Sequence, residues 1–130
     1  MPLVRIDLDA SAPPERARIV GEAVYQAMIA IAGVPENDRF QIVTRHSEGE
    51  IVFPAGGYLG ITYSRDLVII QITWNAGRSV EVKQRFYRKV ADDIALRAGV
   101  SRQDVFINLV EVAKENWSFG NGEMQYAAQL

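Results

Sequence analysis

Apolar residues recur at every second position near the start of the chain, where Val4, Ile6 and Leu8 alternate with Leu3, Arg5 and Asp7. That is the period of a strand with two distinct faces. From residue 20 the period changes: Val20, Ala23, Val24, Ala27, Met28 and Ile31 recur at spacings of three and four, which predicts a helix with one buried stripe. Ser11 is its expected N-cap, with Pro13 and Pro14 in the first turn, where a missing N–H costs little, and Gly33 is the expected left-handed stop. A strand is expected over residues 39–45, then a loop through HSEGE and PAGGYLG. After that loop the pattern restarts. LVIIQITW at residues 67–74 reads as a strand covered on both faces. Ser79 caps a second helix whose Val82, Phe86, Val90, Ile94 and Ala98 share a face, Gly99 ends it, and DVFINLVEV at residues 104–112 is the closing strand. In the tail, Asn121-Gly122 predicts a tight hairpin turn.

The two halves also share residues. AGVPENDRF, beginning at Ala32, and AGVSRQDVF, beginning at Ala98, carry Ala, Gly, Val, Asp and Phe in register at an offset of 66. Both lie at a helix-to-strand junction, so duplication is the simplest account. The expected fold class is α+β: two pseudo-symmetric βαβ units, about residues 2–62 and 63–130, in a single domain over residues 1–130. Right-handed crossovers then give a four-stranded sheet with both helices on one face. Apolar residues on the opposite face call for an oligomer partner to cover it.

Composition narrows the chemistry. The chain of 130 residues is 48% hydrophobic, enough for one small core, and its formal net charge of -2 gives no general attraction to nucleic acid or anionic lipid. With no cysteine and one histidine, His46, disulfides, thiolate metal sites and multi-histidine metal sites are excluded, and no cofactor is expected. His46, in a polar loop, is expected to be exposed, and Lys83, Arg85, Arg88 and Lys89 to form a solvated helix face. Tyr25, on the flank of the first helix stripe, is expected to pack. GGYLG lacks the glycine spacing of a dinucleotide loop. No apolar run approaches membrane-spanning length and no signal-peptide core is present, so a cytoplasmic location is expected.

A proline directly after Met1, the VPENDRFQ segment and a tail reading ENWSFGNG, set on two βαβ units, resemble the tautomerase superfamily, whose fold is that of 4-oxalocrotonate tautomerase and macrophage migration inhibitory factor. Within it the likeness is greatest to the malonate semialdehyde decarboxylase group. The resemblance implies a homotrimer with Pro2, freed by removal of Met1, at the floor of a pocket near a subunit interface. It implies Pro2 as general acid or base, Asp38 beside it, Arg78 on a substrate carboxylate, and Trp117, Phe119 and Tyr126 as an apolar wall. Asp38 has a second reading, since Asp104 occupies the equivalent place and an aspartate there can simply satisfy backbone N–H groups. Arg39 either reaches a neighbouring subunit's pocket as a substrate-binding residue or lies at a strand edge. Ala76 departs from the group, which has a second arginine there. The expected function is therefore cofactor-free keto–enol tautomerisation of a small 2-oxo or 3-oxo acid. Decarboxylation or hydration of the malonate semialdehyde type is the alternative, and a non-catalytic small-molecule binding module is the alternative of another class.

Overall fold

The computed structural model describes residues 2–127. Strand β1 (Leu3–Asp9), helix α1 (Arg16–Ala30) and strand β2 (Phe40–His46) form the first βαβ unit; β3 (Val68–Asn75), α2 (Val80–Ala98) and β4 (Val105–Val112) form the second. Each unit pairs its own strands in parallel, and β1 joins β3 antiparallel, giving the sheet order β2-β1-β3-β4. This is the α+β architecture expected from the repeat. Leu3 pairs with Phe40, and Ile69 pairs with Phe106, so the offset of the repeated sequence is also the offset of the registers.

The buried stripes meet where the periodicity placed them. Val4, Ile6 and Leu8 of β1 and Val68, Ile70, Ile72 and Trp74 of β3 pack against Val20, Val24 and Met28 of α1 and Phe86, Val90 and Ile94 of α2. Trp74 and Phe86 face each other at 5.3 Å between ring centroids, the largest side chains in this layer. Gly21 permits a close approach on α1: a Cβ there would stand 2.6 Å from Gln41 Oε1. Gln41 uses that gap to donate from Nε2 to the Gly21 carbonyl at 2.9 Å, fastening edge strand β2 to the helix.

The caps divide. Ser79 Oγ accepts from Val82 N–H at 3.2 Å and starts α2, and Gly99, at φ 67, ends it. Gly33 also takes a left-handed conformation, just beyond α1. Ser11, in contrast, does not cap α1, which begins at Arg16 after Glu15 with no side-chain cap. Asp9 Oδ1 accepts from Ser11 N–H at 2.9 Å, an Asx turn that holds the serine in the connection, and Pro13 and Pro14 lie in the turn before the helix.

Three other expectations change. Asn121 and Gly122 both have positive φ, the geometry of a type I′ turn, but no strands flank it. A side chain closes it instead: Gln125 accepts from Phe119 N–H and donates to the Gly120 carbonyl, each at 2.9 Å. His46 is not a loop residue; it ends β2, half-buried, with Nε2 2.6 Å from Asp7 Oδ1. Of the cationic face expected on α2, Lys83 is paired with Glu111 at 2.8 Å and Lys89 with Asp93 at 3.0 Å, whereas Arg85 and Arg88 are exposed.

The sheet face away from the helices is open in this chain. β3 alternates, burying one face and leaving Ile69, Gln71, Thr73 and Asn75 on the other half-buried or exposed. Register aligns rows across it: Phe40, Leu3, Thr73 and Val110; Ile42, Arg5, Gln71 and Asn108; Thr44, Asp7, Ile69 and Phe106. The middle row is polar at its centre, with Gln71 donating to Asn108 at 3.0 Å. Phe40, Ile42, Phe106 and Val110 on this face are each more than a third exposed. No described helix is long and apolar enough to cross a membrane.

Candidate active site

Pro2, immediately before β1, lies at the end of the sheet where β3 stops and the tail returns. There Pro2, Leu3, Phe40, Trp117, Ser118 and Phe119 line a cleft of about 240 Å3. Pro2 is buried. The wall is a run of aromatic contacts: Trp117 stacks on Phe119 at 5.4 Å, and Phe119 meets Tyr126 edge-on at 4.9 Å. Offset and edge-on pairs suit the ring quadrupoles, so three rings make a continuous apolar surface.

Asp38 follows the left-handed Asn37, whose N–H donates to the Tyr25 hydroxyl at 3.0 Å. Tyr25 therefore both packs and fixes this junction. Burial raises the Asp38 carboxyl above its ordinary pKa, while the amino-terminal charge pulls the other way. Tyr126 is also raised, first by burial and then by the negative charge of Asp38. The carboxyl thus acts on the tail of the wall and feels the amino-terminal end of the chain.

Asp104, its counterpart in the second unit, is a different residue in function. Only 4% exposed, it accepts from Ser64 N–H at 2.8 Å and from Ser64 Oγ–H at 2.6 Å. The residues leading into β3 occupy it fully as a loop anchor. Of the duplicated pair, Asp104 is thus the copy that satisfies backbone and hydroxyl donors of a neighbouring loop.

Arg78 leans over the Trp74 ring at 4.3 Å, donates from Nε to the Ala32 carbonyl at 2.9 Å and from Nη1 to the Asn75 carbonyl at 3.1 Å. Burial lowers its pKa from the ordinary arginine value, with Glu111 acting in the opposite direction. Much of the guanidinium therefore holds the end of β3 to the end of α1. Nη2 makes no hydrogen bond among the described residues, and Arg78 is not among the residues that line the cleft.

Arg39 lies elsewhere in this chain. It pairs with Glu22 at 2.8 Å, contacts Gln41 Oε1 at 3.3 Å and covers the Tyr25 ring at 4.7 Å, all on the α1 side, whereas its neighbour Phe40 lines the cleft. The sequence reading missed Leu3, Phe40 and Ser118 of the lining, and Asn75, whose Oδ1 accepts from Trp117 Nε1–H at 2.7 Å. The alternation of β1 and β2 gave a signal for Leu3 and Phe40, since both fall on the open face. Nothing local in the sequence joins Asn75 to Trp117. Among the described residues, no three His, Asp or Glu side chains gather to hold a metal ion.

A duplicated βαβ sheet whose first strand begins inside an aromatic cleft defines an enzyme of the tautomerase fold. The chain belongs to the family described as Tautomerase enzyme, whose profile matches residues 38–120. It is 34% identical to the probable tautomerase YusQ of Bacillus subtilis (strain 168) over 125 residues, 96% of this chain and 98% of that one. Among solved structures it is similar to FG41 malonate semialdehyde decarboxylase inhibited by 3-bromopropiolate, at 38% identity and a TM-score of 0.89 over 98% of this chain and 95% of that one. A fused 4-OT, described as a symmetric trimer, shares the fold at 18% identity and a TM-score of 0.74 over 92% of this chain and 93% of that one. Family membership sets aside the non-catalytic module.

Proposed function

We propose that this enzyme catalyses keto–enol tautomerisation of a small 2-oxo or 3-oxo acid, with Pro2 moving the proton. The observation that carries the reading is Pro2 buried at the floor of an aromatic cleft, beside the junction whose Asp38 carboxyl is raised by burial. With Met1 removed, the proline carries a secondary amine. A free α-amino group titrates near pKa ~8, a carboxylate nearby raises it and burial lowers it, so the surroundings set whether it begins as base or acid. As a neutral base it takes the enol O–H proton and delivers a proton to the adjacent carbon, leaving the ketone. Arg78, through Nη2, takes the substrate carboxylate, and the Trp117, Phe119 and Tyr126 wall keeps water from the exchanging proton. Three copies assemble, covering the open sheet faces; the trimeric state of the fused 4-OT supports this.

Decarboxylation or hydration is the second reading, favoured by the likeness to FG41 malonate semialdehyde decarboxylase. It ranks second because Ala76 is exposed and has no cationic group to share the carboxylate with Arg78.

The test is the intact mass of the purified protein before and after incubation with 3-bromopropiolate. A starting mass lacking Met1, one adduct mapped to Pro2, and turnover of enol acids that Pro2→Ala abolishes are the expected results. A retained Met1, or an unmodified protein whose Pro2→Ala variant turns over normally, overturns the proline mechanism.

A further inference from the structure

Trp117 of the cleft lining and Arg78 both hydrogen-bond to one residue to which the sequence assigned no role. Asn75 is the last residue of β3 and lies on the open face, opposite in alternation to Trp74. Its side chain accepts the Trp117 indole N–H at 2.7 Å, across 42 positions of sequence, and its backbone carbonyl accepts Arg78 Nη1 at 3.1 Å. An indole N–H is only a donor, so it orients the Asn75 amide with its oxygen toward the tail. Arg78 is held from its other side by the Ala32 carbonyl and the Trp74 ring, which makes the end of β3 a rigid reference point. Among the described residues after Val112 the tail has a short 3-10 turn, local backbone turn bonds at Glu123 and Ala127, a turn closed by Gln125 and the ring contacts, and no strand pairing.

We infer that Asn75 is a positioning residue: it latches Trp117 over the Pro2 cleft and sets the indole wall at a fixed distance from Arg78. Its effect falls on substrate fit, while proton transfer stays with Pro2. The inference rests on the proposed function for its kinetic consequence, and on the geometry alone for the latch.

The test is a double-mutant cycle of Asn75→Leu and Trp117→Phe, with Asn75→Asp as the variant that keeps an acceptor. Two readouts are used: acrylamide quenching of tryptophan emission, and the separate KM and kcat for an enol 2-oxo acid. Trp74 is fully buried, so the quenchable emission belongs to Trp117. Asn75→Leu is expected to raise quenching and to raise KM about tenfold, with kcat within about threefold of wild type, the size of one lost hydrogen bond. In the Trp117→Phe background the same substitution should add nothing to KM, and Asn75→Asp should quench like wild type. Multiplying effects in the double variant, a loss confined to kcat, or unchanged quenching in Asn75→Leu overturns the inference. Quenching needs no substrate, so a wild-type protein inert to enol acids counts against the tautomerase reading while the latch is still decided.

Discussion

Replacing Asp104 by alanine should destabilise the protein and leave the chemistry of the folded fraction intact. The carboxylate accepts two hydrogen bonds from one residue, at 2.8 Å from the Ser64 N–H and 2.6 Å from its hydroxyl, in a site only 4% exposed. A hydrogen bond to a charged group contributes about 1.5–3 kcal/mol net, and a buried N–H left without a partner costs about 1–3 kcal/mol. The hydroxyl can turn to another acceptor, so the two bonds are not both lost in full. The expected cost is about 3 kcal/mol, and at about 4 °C per kcal/mol for a chain of this size the melting midpoint falls by roughly 12 °C. Calorimetry at one fixed protomer concentration measures it, because the proposed assembly would make the midpoint concentration-dependent. Asp104→Asn, which keeps one acceptor, should lose about half as much. If Asp104→Ala melts within about 2 °C of wild type, or keeps its midpoint and loses turnover, the division of labour between the two junction aspartates is wrong.

The complementary substitution, Asp38→Asn, should abolish most turnover without lowering the melting midpoint at neutral pH. Because burial raises the Asp38 pKa, the folded state holds that proton more tightly than the unfolded chain; the stability it contributes at low pH is lost as pH rises from the ordinary carboxylate value through the raised one. A pH series of melting curves should show that slope in wild type and not in Asp38→Asn. Arg78→Lys keeps the charge but not the planar fork over Trp74, and should raise KM about tenfold and cost about 1–2 kcal/mol in urea unfolding. Phe106→Asp, placed on the open sheet face, should convert the proposed trimer to a monomer by light scattering, and a trimer that persists would remove that face from the interface.

The fold was legible because its elements obey their periods over long stretches. Val4, Ile6 and Leu8, and Phe86, Val90 and Ile94, are buried as their spacings predict. What escaped was decided by side-chain hydrogen bonds. Ser11 has the composition of a cap, but the nearer Asp9 captured its N–H. Asn121-Gly122 made the turn it encodes, yet the flanking residues bond to Gln125 rather than to each other. Pro2, Trp117 and Phe119 line one cleft, with Tyr126 joined through Phe119, whereas Asp38 and Arg78 are not among its lining residues. Arg39 went to the α1 side because Glu22 and the Tyr25 ring offer it partners there. Asn75 was invisible because its partner lies 42 residues away and neither residue announces the other.

The tail that walls the cleft hangs from side chains, and this separates its timescale from that of the sheet. Backbone amides in β1 and β3 are locked between neighbours on both sides, so they exchange with solvent only through global unfolding. Those of residues 117–127 rest on local turn bonds at Trp117, Glu123 and Ala127, one indole, one glutamine and a run of rings, and are expected to exchange through a local opening that leaves the sheet intact. One side of the cleft, at Pro2 and Leu3, is thus built on the sheet and the other, at Trp117 and Phe119, on the more readily opened tail.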